Sequence, residues 1–466
     1  MIIRFRDLYT KAPGPIKRLV GFVPFQYRFG AAYRRTLAFL RESDNWTAAQ
    51  FRVWQAGRLE ELLRRAIRHV PYYQKYTALL GKPAFDILRD IEPVGKSALQ
   101  NDPEAFALPI AMRGAHHETF TGGSSGYPLR ILQDDDAVEI EWAFMVHQWA
   151  RAGYRPGDRR VTFRGVEFRD GSQGDIVENP VYNETLFSPF HLTDTVLEEY
   201  VTALKRIRPR FLRGYPSAMT ILARYVRDNE VTDLPSLAGL LCGSEGISAD
   251  QRDFLERTFK ARVYSWYGMT EKVVLAGECE SSTLYHAFPQ YGVTEVADKG
   301  GNVTQAVGAK GEIVGTGFLN RVMPFIRYRL DDWTTIQADQ CSSCGRNHPL
   351  LGSISGHRAQ DVIIGRSGAQ ISMTALNMHD DTFRRVRQFQ FHQRERGKVT
   401  LLVRAREGFD DESRRLIITS LRRKTGEELD YDIRLVDKID QTGMGKGVYL
   451  KQELMEAGEL SHLRHS

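Results

Sequence analysis

Between Asp158 and Gly268 the chain alternates short apolar runs with amphipathic ones, and this alternation constrains the fold more than any other feature. RRVTFRGV, TLFSPF, PRFLRGY, LAGLLCG and ARVYSWYG read as strands, whereas TVLEEYVTALKRIR, SAMTILARYVRDN and SADQRDFLERTFK read as helices. Strands fed through helices predict an α/β fold with mainly parallel, helix-covered sheets. In such sheets ligands collect beyond the carboxyl ends of the strands, where this chain places PFHLTD, GYPSAM, CGSEG and WYGMTE.

The flanks are built differently. Residues 1–110 read as mostly helical, with Leu59, Leu62, Leu63, Ala66 and Ile67 on one stripe of a helix that Pro71 ends. Beyond Gly356 come a short helix (MTALNMHDDTF), a hairpin (VRQFQFHQ with KVTLLVRAR), a helix (DDESRRLIITSLRRK) and a strand (YDIRLVDKI), the pattern of a small α+β domain. A chain of 466 residues with 42% hydrophobic composition exceeds what one core usually holds and excludes disorder. The expected division is a helical framing region over residues 1–110 of a large domain, its sheet-bearing core over 111–356, and a mobile carboxy-terminal domain over 357–466.

The first thirty residues scatter Arg and Lys through every apolar run, so neither a signal peptide nor a membrane span is expected and the reading is cytoplasmic. Basic and aromatic residues from Ile16 to Arg35 read as a helix covering a domain. A formal net charge of +6 without a basic stripe argues against a nucleic-acid partner and suits a polyanionic small ligand. Four cysteines do not make a disulfide framework. Cys341 and Cys344 have the spacing of zinc ligands; Cys279 with His286 completes a Cys3His set, and His348 competes for the fourth place. Free buried thiols and a redox pair are the other readings of the same spacing.

The sharpest local signal is Thr121-Gly122-Gly123-Ser124-Ser125-Gly126-Tyr127-Pro128. Its three glycines let backbone amides crowd a phosphate, and its hydroxyls donate to the phosphate oxygens. No Gly-Lys-Ser/Thr ending follows, so it is not a Walker loop.

This octet resembles the phosphate loop of the adenylate-forming enzymes, and further signatures follow in that family's order. Tyr267-Gly268-Met269-Thr270-Glu271 resembles Y-G-x-T-E. The resemblance implies an aromatic beside adenine (Tyr267), a threonine at the α-phosphate (Thr270) and a glutamate holding Mg2+ (Glu271). Gly243-Ser244-Glu245 resembles the adenine-side G-x-E of the phenylacetate-CoA ligase branch. Tyr328-Arg329-Leu330-Asp331-Asp332 resembles Y-R-T-G-D, which implies that Asp332 binds the ribose hydroxyls. Arg358, in GHRAQD, is the equivalent of the hinge arginine, with His357 departing from the pattern. Lys446, in QTGMGKG, resembles the carboxy-terminal lysine that meets the reacting phosphate. His191 in SPFHLTD, with Tyr215 and Ser217, is expected to line the acid pocket. Leu129 stands where many members carry Lys after the loop proline.

SPFHLTD, LRGYPSAM and GHRAQD are most similar to the CapK type of the phenylacetate-CoA ligase branch, linked to capsular or other surface polysaccharide synthesis. Related ligases also carry a C…H…C-x-C-GR pattern. The resemblance implies an ATP- and Mg2+-dependent ligase that makes an acyl-adenylate and passes the acyl group to coenzyme A or to an amine or hydroxyl acceptor, with structural Zn2+. The alternatives are a nucleotide-binding member without turnover and a zinc-containing nucleic-acid-binding protein. A homodimer is expected only from the general frequency of that state.

Overall fold

The structure is a computed structural model describing residues 23, 27–121, 128–164, 176–190, 192–355, 362–373, 376, 381–439 and 450–454. The chain forms two compact units. The first draws on Met1–Thr119, Leu129–Gly157 and Tyr264–His357, the second on Phe120–Pro128, Asp158–Val263 and Arg358–Ser466.

In the second unit four parallel strands lie in the order Gly239–Gly243, Phe211–Gly214, Arg160–Phe163 and Glu184–Phe187, with Ile176–Asn179 antiparallel at the edge. Helices Asp194–Ile207, Pro216–Asp228 and Ala249–Phe259 supply the expected crossovers. Each starts where the chemistry of its first turn requires. Thr193 accepts from the Val196 amide and Ser248 from the Gln251 amide, while Pro216 occupies a first-turn position whose N–H has no helical partner. Val161, Phe187, Tyr200, Leu212, Met219, Leu222 and Leu240 fill the space between helices and strands. Truncating one such leucine to alanine costs about 2–5 kcal/mol.

At the start of two adjacent strands a charged pair is buried. Arg160 Nη2 lies 2.9 Å from Glu184 Oε2, and both side chains are shielded from solvent. Thr162 Oγ1 donates to the same oxygen at 2.9 Å, and Asn179 Nδ2 to the other at 2.9 Å. Burial alone would raise the Glu184 carboxyl; Arg160, with Arg213 and Arg164, outweighs it and holds the group below its ordinary value.

The carboxy-terminal part of this unit has the expected hairpin, Val386–Glu395 with Lys398–Ala405, turning at Gly397 with φ +72°. Asp430–Leu435 and Leu450–Gln452 join its two sides in parallel. Helix Asp411–Thr425, capped by Asp410 on the Ser413 amide, packs Ile417 and Leu421 against Phe389, Phe391, Leu401 and Val403. Phe190, from the SPFHLTD segment, belongs to this same core. Most of the MTALNMHDDTF segment lies outside the described residues; Asp381–Phe383 at its end is a 3-10 turn.

The first unit combines helices with an antiparallel run of strands: Val303–Thr304, Gly292–Ala297, Lys310–Gly317, Tyr328–Ala338, Leu350–Leu351, Tyr285–Ala287 and Leu275–Gly277, the last paired with Trp266–Gly268. Helix Ala48–His69 opens with a Thr47–Gln50 capping box and ends as expected before Pro71. Leu59, Leu63, Ala66 and Ile67 of its stripe are buried, whereas Leu62 is half-buried at the margin. Helix Ala31–Glu42 buries Tyr33, Leu37 and Leu40; of the segment from Ile16 to Arg35, residues 16–22 and 24–26 lie outside the described residues.

Candidate functional site

In the first unit the YGMTE turn follows the strand Val263–Gly268 and faces the start of the strand Tyr328–Ala338. Tyr267 Oη donates to Asp332 Oδ2 at 2.8 Å, and Tyr328 Oη donates to Glu271 Oε1 at 3.2 Å. Both phenols are held well above their ordinary range. Burial is the main cause; Asp332 adds to it at Tyr267 and Glu271 at Tyr328, so both groups remain donors. Thr270 is half-buried, and its carbonyl accepts from Gln133 Nε2 at 3.2 Å. Lys272 closes the turn onto the Met269 carbonyl with a left-handed φ of +55°. Its ammonium pairs with Glu141, whose other oxygen accepts from Tyr291 Oη at 3.0 Å. Gly268 lies in the strand, with the Trp266 ring 3.0 Å from where a Cβ would stand.

In the second unit Gly243 ends its strand and Ser244 turns the backbone at φ +68°. That left-handed residue costs on the order of 1–2 kcal/mol and re-aims Glu245. The Glu245 carboxylate, 1% exposed, accepts from the Ser217 amide at 3.0 Å and from Ser217 Oγ at 2.9 Å. Two expected site residues therefore meet at the start of helix Pro216–Asp228, where unpaired amides favour a negative charge. Tyr215, half-buried, precedes that helix and packs against two hydrophobic clusters of the unit, one around Leu212 and Leu240 and one around Phe389 and Leu401. Thr121 is buried after the strand His116–Phe120. Gly122, Gly123, Ser124, Ser125, Gly126, His191, Arg358 and Lys446 lie outside the described residues.

A further cluster lies in the first unit. The ligand atoms of Cys279, His286, Cys341 and Cys344 all fall within 4.8 Å of one another. Tetrahedral zinc with about 2.3 Å Zn–S bonds sets sulfurs about 3.8 Å apart, so a small contraction closes the set. The second shell has the right polarity. His286 Nδ1 lies 3.0 Å from the Leu284 carbonyl, which assigns it the proton and leaves Nε2 facing Cys344 Sγ at 3.3 Å. Burial pushes this imidazole down to about 4, keeping it neutral as a ligand must be. Burial also raises the Cys279 thiol, whereas the Cys344 and Ser343 amides lower Cys341. His348 stands apart. It is fully buried between the Phe51 and Phe288 rings, and neither ring nitrogen has a hydrogen-bond partner among the described residues. These residues fit a closed, structural metal centre, and His286 is the better-placed fourth donor.

Sequence reasoning missed Tyr328 as the partner of Glu271 and the Glu141–Lys272–Tyr291 trio beneath the turn. Their signal was adjacency: Tyr328 opens the YRLDD segment, and Lys272 follows the motif glutamate.

The AMP-binding enzyme family matches residues 185–320, and the CapK C-terminal domain family matches residues 363–453. Protein CapK of Staphylococcus aureus is 24% identical over 215 residues, 46% of each chain, so the match spans about half the length of that relative. Phenylacetate-coenzyme A ligase of Pseudomonas putida is 23% identical over 345 residues, 71% of this chain and 75% of that one. A 2-hydroxyisobutyryl-CoA ligase solved with 2-HIB-AMP and CoA shares the fold, with a TM-score of 0.54 at 20% identity over 91% of this chain and 94% of that one. The two family matches, in this order along one chain, and the shared fold support one resemblance: the chain is similar to the adenylate-forming enzymes, in their CapK-like, phenylacetate-CoA ligase-related branch.

Proposed function

We propose that the protein is an ATP-dependent acid ligase. A carboxylate oxygen attacks the α-phosphorus of ATP, the bond to the bridging oxygen breaks, and pyrophosphate leaves. The acceptor then attacks the acyl carbon and AMP departs. Negative charge grows on the phosphoryl oxygens in the first step, so preplaced donors and cations lower its barrier.

The observation that carries this reading is the 2.8 Å bond between Tyr267 and Asp332, which joins the residue assigned to adenine to the one assigned to ribose across 65 positions of sequence. Gly243, Ser244 and Glu245 take the adenine side, and Gly268 belongs to the same turn as Tyr267. Thr121, Gly122, Gly123, Ser124, Ser125 and Gly126 cradle the phosphates with Thr270, while Glu271 offers the hard oxygen that Mg2+ prefers. Lys446, carried by the mobile domain of residues 357–466 with Arg358 at its hinge, meets the reacting phosphate. His191, Tyr215 and Ser217 line the acid pocket. The coenzyme A ligases among the relatives favour coenzyme A as acceptor; the CapK C-terminal domain match favours an amine or hydroxyl on a surface-polysaccharide precursor. Zinc at the Cys3His cluster holds loops in place and performs no step. Among the described residues no helix is long and apolar enough to cross a membrane.

The test is ATP–pyrophosphate exchange across a panel of aromatic, fatty and uronic acids. Exchange with at least one class, lowered by about two to three orders of magnitude in Lys446→Ala, is the expected result; folded protein that binds ATP without exchange for any acid overturns the proposal. Thioester formation with coenzyme A, or AMP release triggered by an aminosugar, then separates the acceptors.

A further inference from the structure

The cysteine cluster is ringed by charges that the nucleotide motifs do not use. Arg346 lies two residues beyond Cys344, its carbonyl accepts from the Cys341 amide at 3.0 Å, and its side chain is only 14% exposed. Its Nε donates to both oxygens of Asp44 at 3.1 Å, and its Nη1 to both oxygens of Glu280, next to Cys279, at 3.0 and 2.9 Å. Asp44 sits in the 3-10 turn Ser43–Asn45 between the first two described helices and also meets His147 Nε2 at 3.1 Å. The same turn is held twice more. Gln290 Nε2 donates to Ser43 Oγ at 2.9 Å, and Asn347 Nδ2 donates to the Trp46 carbonyl at 2.9 Å.

A second cation lies close by. Arg151 is 7% exposed and stacks its guanidinium over the Phe288 ring at 4.7 Å; Nη1 reaches Gln148 and Gly277, while Nε and Nη2 have no hydrogen-bond partner among the described residues. A buried guanidinium is costly unless a nearby anion balances it. Three thiolates and an imidazole on a divalent ion would carry one net negative charge beside Arg151, adding to the balance that Asp44 and Glu280 already supply.

We propose that Arg346, tied to Cys341 through its carbonyl and bridging Glu280 and Asp44 through its guanidinium, is a positioning residue that makes retention of the metal and docking of the Ser43–Asn45 turn one cooperative event. With the metal bound, the segments carrying Cys279 and Cys341–Cys344 would be pinned together, so Glu280 and Arg346 are held in register and the guanidinium fixes Asp44. When the metal leaves, those segments are free to separate, Arg346 loses its fixed place between Glu280 and Asp44, and the turn between the two helices loosens. The inference does not depend on ligase activity.

The experiment uses the full chain reconstituted with Zn2+. Zinc transfer to an excess of a chromophoric chelator is timed for the parent, Asp44→Asn and Arg346→Lys, with Arg366→Gln as a control in an exposed ion pair of the other unit. Asp44→Asn keeps the shape of the side chain, and Arg346→Lys keeps the charge without the planar fork. Both are expected to release zinc about tenfold or more faster, the scale of outer-shell effects on metal sites, with the control unchanged. Hydrogen exchange across residues 31–51 is expected to rise when the parent is stripped of zinc. Unchanged release in both variants, exchange indifferent to zinc, or a folded chain that takes up no zinc would each overturn the proposal.

Discussion

Tyr328 Oη lies 3.2 Å from Glu271 Oε1, and this one hydrogen bond ties the turn after one strand to the opening residue of another, 57 positions later. The role proposed for Glu271, holding a divalent cation, requires that its carboxylate be kept from rotating away, and the buried phenol, unable to ionise near neutral pH, restrains it. Removing it in Tyr328→Phe is expected to raise the Mg2+ concentration needed for half-maximal pyrophosphate exchange by about tenfold, in line with about 1.5–3 kcal/mol for a bond to a charged group. Titration of the exchange rate with Mg2+ at saturating ATP checks this; an unchanged Mg2+ requirement contradicts it.

Tyr267→Phe tests the neighbouring pair. Without the phenolic hydrogen Asp332 loses its 2.8 Å donor, so the KM for ATP is expected to rise severalfold to about tenfold while kcat stays near the parent value. A large fall in kcat with unchanged KM would place the pair in the chemical step instead.

Lys446→Ala is expected to lower the rate of adenylation by about two to three orders of magnitude with little loss of ATP binding, as removal of a single transition-state donor does. Single-turnover formation of acyl-adenylate, set beside a direct binding measurement, separates the two effects.

The metal centre offers a choice between two histidines. His286→Asn is expected to lose tightly held zinc and His348→Asn to keep one equivalent per chain, because only His286 Nε2 faces Cys344 Sγ. Native mass spectrometry of both variants decides it, and zinc loss in His348→Asn alone would reverse the assignment.

Glu184 links stability to pH. Its carboxyl is lower in the folded chain than in the unfolded one, so its contribution is fully present above the unfolded value and disappears as pH falls through the folded value. Glu184→Gln leaves Arg160 buried without a counter-charge and is expected to cost about 3–5 kcal/mol at pH 7, with a smaller penalty in acid. Denaturant unfolding at pH 7 and near pH 4 measures both. A penalty that grows in acid would refute the electrostatic account.

Legibility followed the reach of each interaction. The strands and helices from Asp158 to Gly268 were readable because each carries its own period and its own cap, as at Thr193 and Ser248. The antiparallel strands of the first unit were not. Gly292–Ala297 is buried at every position and Lys310–Gly317 at all but its first, so neither shows the alternation that marks a strand with one wet face. Of the metal set, the Cys341–Cys344 spacing was plain, while the choice between His286 and His348 was left open.

The amino-acid sequence by itself determined the alternating α/β run, the α+β tail, the family motifs in order and the two-cysteine knuckle, because each of these is written within a few turns of chain. Tertiary structure alone decided that Tyr267 meets Asp332, that Glu245 caps the helix of Ser217, and that Arg346 reaches Asp44 across 302 positions. Those contacts depend on strand register and on which charges are buried together. Both are properties of the packed chain that no local period records.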